Sequence, residues 1–70
     1  MTFNEFVKQL SENDFPTQFA HDFADDWKSD SLKPEVKNKK EAIDYLVFNG
    51  ACDEALKGLN DLWDFYKNRI

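Results

Sequence analysis

The chain has 70 residues, a formal charge of −5, seven Phe, two Trp, two Tyr and a single cysteine. That length sets one small domain over residues 1–70, burying only about three fifths of its unfolded surface. Lone Cys52 cannot form an internal disulfide and no Cys/His cluster offers a zinc shell, so the aromatic rings, each able to remove about 150–250 Å² from water, stand in for a staple.

The first helix begins at once. Thr2 and Glu5 have the T-x-x-E spacing of a capping box, and Phe3, Phe6, Val7 and Leu10 share one face. It is expected to stop near Glu12, because Asn13-Asp14 favours a turn and Phe15 precedes a proline. Pro16 suits the first turn of a second helix, on which Phe15, Phe19, Phe23 and Trp27 recur every fourth residue, with Ala20 and Ala24 widening the apolar side. Gln18, His21, Asp22 and Asp25 fall opposite. The end is expected near Lys28 or Ser29.

Residues 30–37 lack a period and read as a connector, with room for one helical turn after Pro34 and with Leu32 and Val36 as plugs into the core. Asn38 and Glu41 repeat the capping-box spacing and open a third helix. Its apolar residues (Ala42, Ile43, Tyr45, Leu46, Val47 and Phe48) run nearly all round, which predicts a helix lodged between others. Asn49-Gly50 ends it, glycine supplying a left-handed C′ residue. After a corner at Ala51 to Asp53 the longest periodic stretch follows: Leu56, Leu59, Trp63, Tyr66 and Ile70 mark one face, widened by Ala55 and Leu62. No alternating β-branched run competes. The expected fold class is therefore all-α, a compact bundle of four helices with an optional fifth short turn.

Chemistry-bearing groups are sparse. Cys52 lies near a helix N-terminus, but a nucleophilic cysteine needs a base and an orienting partner. The one histidine, His21, is on another helix, so Cys52 is expected to be a half-buried small residue in the interhelix corner. His21 with Asp25, or Asp22 with Asp26, offers two ligands where structural zinc wants four. No catalytic residue, metal site or cofactor is expected. No apolar stretch reaches the ~20 residues of a membrane span and no signal-peptide pattern opens the chain; with one free thiol, a reducing cytoplasm is the expected compartment.

Two surfaces are candidates for binding. Phe65 falls roughly 60° outside the apolar stripe of the last helix. With Leu62 and Arg69 it forms a candidate protein-binding patch, unless the N-terminal helix or the connector covers it. The second is the lysine segment. Between Lys28 and Lys40, five lysines face only Asp30 and Glu35, a local +3 that leaves −8 on the remainder. Lys33, Lys37, Lys39 and Lys40 are the candidate nucleic-acid contacts, although the acidic whole repels phosphate and no aromatic lies between Trp27 and Tyr45. A protein-interaction module, binding another protein or itself, is the leading expectation and a nucleic-acid accessory protein the alternative.

The pattern Phe3-x-x-Phe6-Val7, then Phe19-Ala20-x-Asp22, a lysine–proline connector, Tyr45-Leu46, Asn49-Gly50-Ala51-Cys52 and Leu62-Trp63-x-x-Tyr66 resembles the YozE-like family. These are short proteins of Gram-positive bacteria and their phages, with a fold similar to a sterile alpha motif. The resemblance covers nearly the whole chain and is most specific from Tyr45 to Tyr66. The connector departs from it, reading Leu32-Lys33-Pro34 where the family pattern has Phe-Pro-Lys. The resemblance implies a compact helical bundle without enzyme activity, and it transfers no catalytic or binding residue.

Overall fold

The computed structural model describes residues 2–30 and 33–69, the last by its backbone alone. Four helices follow in order: α1 (Phe3–Gln9), α2 (Gln18–Ser29), α3 (Lys39–Phe48) and α4 (Asp53–Arg69). There is no strand among the described residues. The expected plug Leu32 lies outside the described residues; the other, Val36, is buried at 3% exposure.

Local chemistry sets the helix ends. Thr2 Oγ1 accepts the Glu5 N–H at 3.1 Å and opens α1. The helix stops at Gln9, earlier than expected, because the Asp14 carboxylate takes both the N–H and the hydroxyl of Ser11 and draws the chain into a turn there. Thr17, not Pro16, begins α2: its hydroxyl caps the Ala20 N–H at 3.1 Å, which leaves Pro16 outside the helix. The same hydroxyl donates to Asp61 of α4 at 2.8 Å. Asn38 caps α3 through the Glu41 N–H at 2.9 Å. At the other end Gly50, with φ +73°, donates to the Val47 carbonyl while the Ala51 N–H reaches back to Leu46. Those two bonds make a complete Schellman cap.

The packing is organised on α4, and α2 is its main partner. Gly58, Leu59, Leu62 and Trp63 form the buried side of α4; Leu56 and Tyr66 flank it, half-buried. From α2 come Ala20, Phe23, Ala24 and Trp27, and from α1 Phe3, Phe6 and Val7. Phe3 is the hub. Its ring lies 4.4 Å from Trp63, 5.5 Å from Tyr66, 6.1 Å from Trp27 and 6.5 Å from Phe23. A polar strut crosses the same region, with Trp27 Nε1–H donating to Asn4 Oδ1 at 3.2 Å and Asn4 Nδ2 donating to the Pro34 carbonyl at 3.0 Å. It pins the connector to α1 and α2 and gives the buried indole its partner.

Two expectations are corrected here. Helix α3 is not lodged between others: it packs mainly on α4 and meets α2 through the Tyr45 ring, edge-on to Trp27 at 5.8 Å, while Ala42 is its one fully buried residue and Val47 and Phe48 face outward. An all-round apolar helix needs neighbours on every side, and a four-helix chain this short has none to spare for the outer side of α3. Cys52 is exposed rather than half-buried. Its carbonyl accepts the first N–H bonds of α4, so backbone geometry, not side-chain burial, places it.

Candidate interaction surfaces

The patch expected on α4 does not form as such. Leu62 has 0% exposure and belongs to the core, so it cannot contact a partner. The reason is rotational: Leu62 sits beside Leu59 and Trp63 on the side facing α2. Phe65 is half-buried, its ring 6.0 Å from that of Phe6, so α1 gives it cover. The side chain of Arg69 lies outside the described residues.

The lysine segment is split by the fold. Lys33 turns toward α2 and donates to the Asp30 carbonyl at 3.0 Å. It shares one depression with Lys8 and Lys28. Lys37, Lys39 and Lys40 turn the other way and line a broad groove of about 660 Å³ with Lys67, Trp63 and Tyr66. The aromatic partners missing from the local sequence are thus supplied by α4. The groove is not wholly cationic: Asp64 lines it, Lys39 Nζ is held by Asn60 Oδ1, and Lys40 pairs with Asp44 at 3.3 Å.

His21 is half-buried, not solvated as expected. Its ring stands edge-on to Phe15 at 5.2 Å, and Nδ1 lies 3.6 Å from Asp25 and 3.7 Å from Asp22. Among the described residues no group of three or more His, Cys, Asp or Glu is arranged to hold a metal ion. No described helix is long and apolar enough to cross a membrane.

One titrating pair stands out. The Tyr45 hydroxyl donates to the Asp30 carboxylate, tying α3 to the end of α2. That hydrogen bond first, then burial, then the charge of Asp30, raise the phenol above its ordinary value.

The feature that sequence reasoning missed is the outer edge of α3. Phe48 is 89% exposed and Val47 59%. No local signal marked it, because the apolar run of α3 reads the same whether its outer side is covered or open. A model of the YozE SAM-like fold matches residues 2–68, nearly the full length. The chain belongs to the YozE SAM-like fold family. No curated protein and no solved structure matches it. Membership in the YozE SAM-like family accounts for the all-α architecture and leaves the role of the surfaces to be argued from their chemistry.

Proposed function

We propose that this YozE SAM-like chain is a non-enzymatic protein-interaction module of the reducing cytoplasm. The observation that carries the reading is the Val47–Phe48 edge. A phenyl ring exposed at 89% forgoes most of the burial free energy a phenylalanine can contribute to folding. Aromatic side chains are enriched where partners dock. The full Schellman cap after Phe48 holds this edge in place, so little ordering entropy opposes its use. His21, packed on Phe15 between two aspartates, has a structural setting consistent with a module that does no chemistry.

The test is a Val47→Thr/Phe48→Ser double variant, compared with the parent by sedimentation and by pull-down from the native cell. Exposed substitutions of this kind leave stability within about 0.5 kcal/mol. An unchanged melt with lost self-association or lost partner supports the reading, and association identical to the parent overturns it.

A second reading, a nucleic-acid accessory protein, is favoured by the meeting of Lys37, Lys39, Lys40 and Lys67 with Tyr66 in one groove. Cationic grooves with stacking rings track single strands. A DNA and RNA titration at low salt decides it: affinity falling steeply with salt supports this reading, and no binding at about 50 mM salt removes it.

A further inference from the structure

Two depressions adjoin where α2 passes the first turn of α4. The smaller, about 110 Å³, is bounded by Phe19, Asp22 and Glu54, and the larger, about 220 Å³, by Trp27, Asp30, Leu46 and Ala51. Phe23, Asp26, Cys52 and Ala55 line both, so they form one short groove with a waist. Its floor is apolar. Its rim carries Asp22, Asp26, Asp30 and Glu54, and among the described residues no Lys, Arg or His lines it. Asp26 and Glu54 are exposed and make no salt bridge among the described residues. Asp30 accepts the Tyr45 hydroxyl. The neighbouring cation, Lys57, pairs with Asp61 at 3.7 Å and lies over the Phe19 ring, 5.4 Å from its centre, but lines neither depression.

We infer that this groove is the docking site for a basic amphipathic segment of another protein. The inference rests on the interaction-module reading and names the partner's chemistry. The occupant is a helix or extended segment with two apolar side chains, one for each depression, flanked by Lys or Arg. The two-part apolar floor requires spaced apolar anchors. The carboxylate rim selects cations, whose aliphatic stems cover apolar surface while their charged heads stay at the rim. An acidic or phosphate-bearing partner meets repulsion at every edge. A second copy of this chain is poorly suited, because it brings a net charge of −5 to a rim of carboxylates.

Three synthetic peptides of about three helical turns test it: Lys/Leu amphipathic, Lys/Ser with the same charge, and Glu/Leu with the same apolar face. Each is titrated into the intact protein and followed by amide chemical shifts and by the alkylation rate of Cys52, the single cysteine. The Lys/Leu peptide is expected to shift Phe19, Phe23, Asp26, Cys52 and Ala55 and to slow Cys52 alkylation. An Asp26→Asn/Glu54→Gln double variant should weaken it about three- to tenfold, and prior capping of Cys52 with N-ethylmaleimide should block it. Equal binding of the Lys/Ser peptide reduces the effect to bulk charge, and equal binding of the Glu/Leu peptide reduces it to apolar contact; either overturns the proposal. So does the absence of shifts at the groove. Shifts confined to Val47 and Phe48 overturn the groove while leaving the interaction module standing. That broader reading falls only if the Val47→Thr/Phe48→Ser variant associates like the parent.

Discussion

Gly58 and the backbone of Phe19 approach so closely that no side chain fits between them. A Cβ on Gly58 would stand 2.2 Å from the Phe19 carbonyl oxygen and 2.7 Å from Phe23 Cβ. The obstacle is the backbone of α2, which cannot yield without moving the helix. Gly58→Ala should therefore push apart the two helices that carry the core. Overpacking costs about 1–3 kcal/mol or more, against the ~1 kcal/mol that alanine gains in an unconstrained helix. We expect a net loss near 2 kcal/mol and a thermal midpoint lowered by roughly 10 °C. A midpoint that holds or rises would show that α2 and α4 do not approach this closely. Gly50→Ala is the contrast: nothing lies within 4 Å of its added carbon, and the only penalty is the left-handed φ of +73°, about 1–2 kcal/mol.

Thr17 joins the same helix pair by polar means. One hydroxyl accepts the Ala20 N–H and donates to Asp61, so Thr17→Ala removes an N-cap and a crosslink together. Cap loss alone costs about 1 kcal/mol, and the Asp61 bond brings the expected total to about 2 kcal/mol. Thr17→Ser keeps both bonds and should recover most of it. Urea unfolding of the two variants checks this; equal midpoints for Ala and Ser would mean that the hydroxyl contributes nothing.

Much of this fold is readable in sequence because it is local. The capping pairs Thr2/Glu5 and Asn38/Glu41, the Gly50 cap and the α4 stripe each depend on residues within a few positions of one another. What escaped depends on the neighbours a helix finds. The apolar composition of α3 is the same whether it is enclosed or on the rim, so nothing local separates a buried Phe48 from an exposed one. The divergence of Lys33 from Lys37, Lys39 and Lys40 follows from the partners each finds, Asp30 for the first and the side of α4 for the others, not from their spacing. Asn4 is the partner of a buried indole 23 positions away, a pairing that no local pattern encodes. Gly58 did carry a signal: a glycine inside a strongly periodic helix is costly enough to imply close approach.

The Tyr45–Asp30 bond predicts a pH response. The folded state holds the phenol above its ordinary value near 10, so the folded protein favours the protonated form. The sign follows directly: the contribution is whole below about pH 10 and is lost as pH rises from there through the elevated folded value. Tyrosinate absorbance should show one of the two tyrosines ionising late, and Tyr45→Phe should delete that late component. Asp30→Asn should move it earlier, because both the strongest hydrogen-bond acceptor and the adjacent charge are gone. An alkaline titration unaltered by Asp30→Asn would mean that the pair does not form in solution.

Trp63 packs against two other rings of the core. At 6% exposure it stacks 4.4 Å from Phe3 and lies edge-on to Tyr66 at 5.4 Å. Trp63→Ala should cost about 3–5 kcal/mol. A domain of this length has roughly 4–10 kcal/mol in all, so the variant should lose about a third or more of its stability and, at the lower end of that range, unfold. Because an unfolded variant cannot separate ring contact from lost volume, the sharper measurement uses Trp63→Phe, Phe3→Leu and their combination. Each single change keeps an apolar group in place and weakens or removes the aromatic contact. If the ring pair contributes beyond its buried area, the cycle should show a coupling of about 0.5–1.5 kcal/mol. Additivity within about 0.3 kcal/mol would instead assign the whole effect of Trp63 to burial, leaving Phe3 at the centre of the core by volume alone.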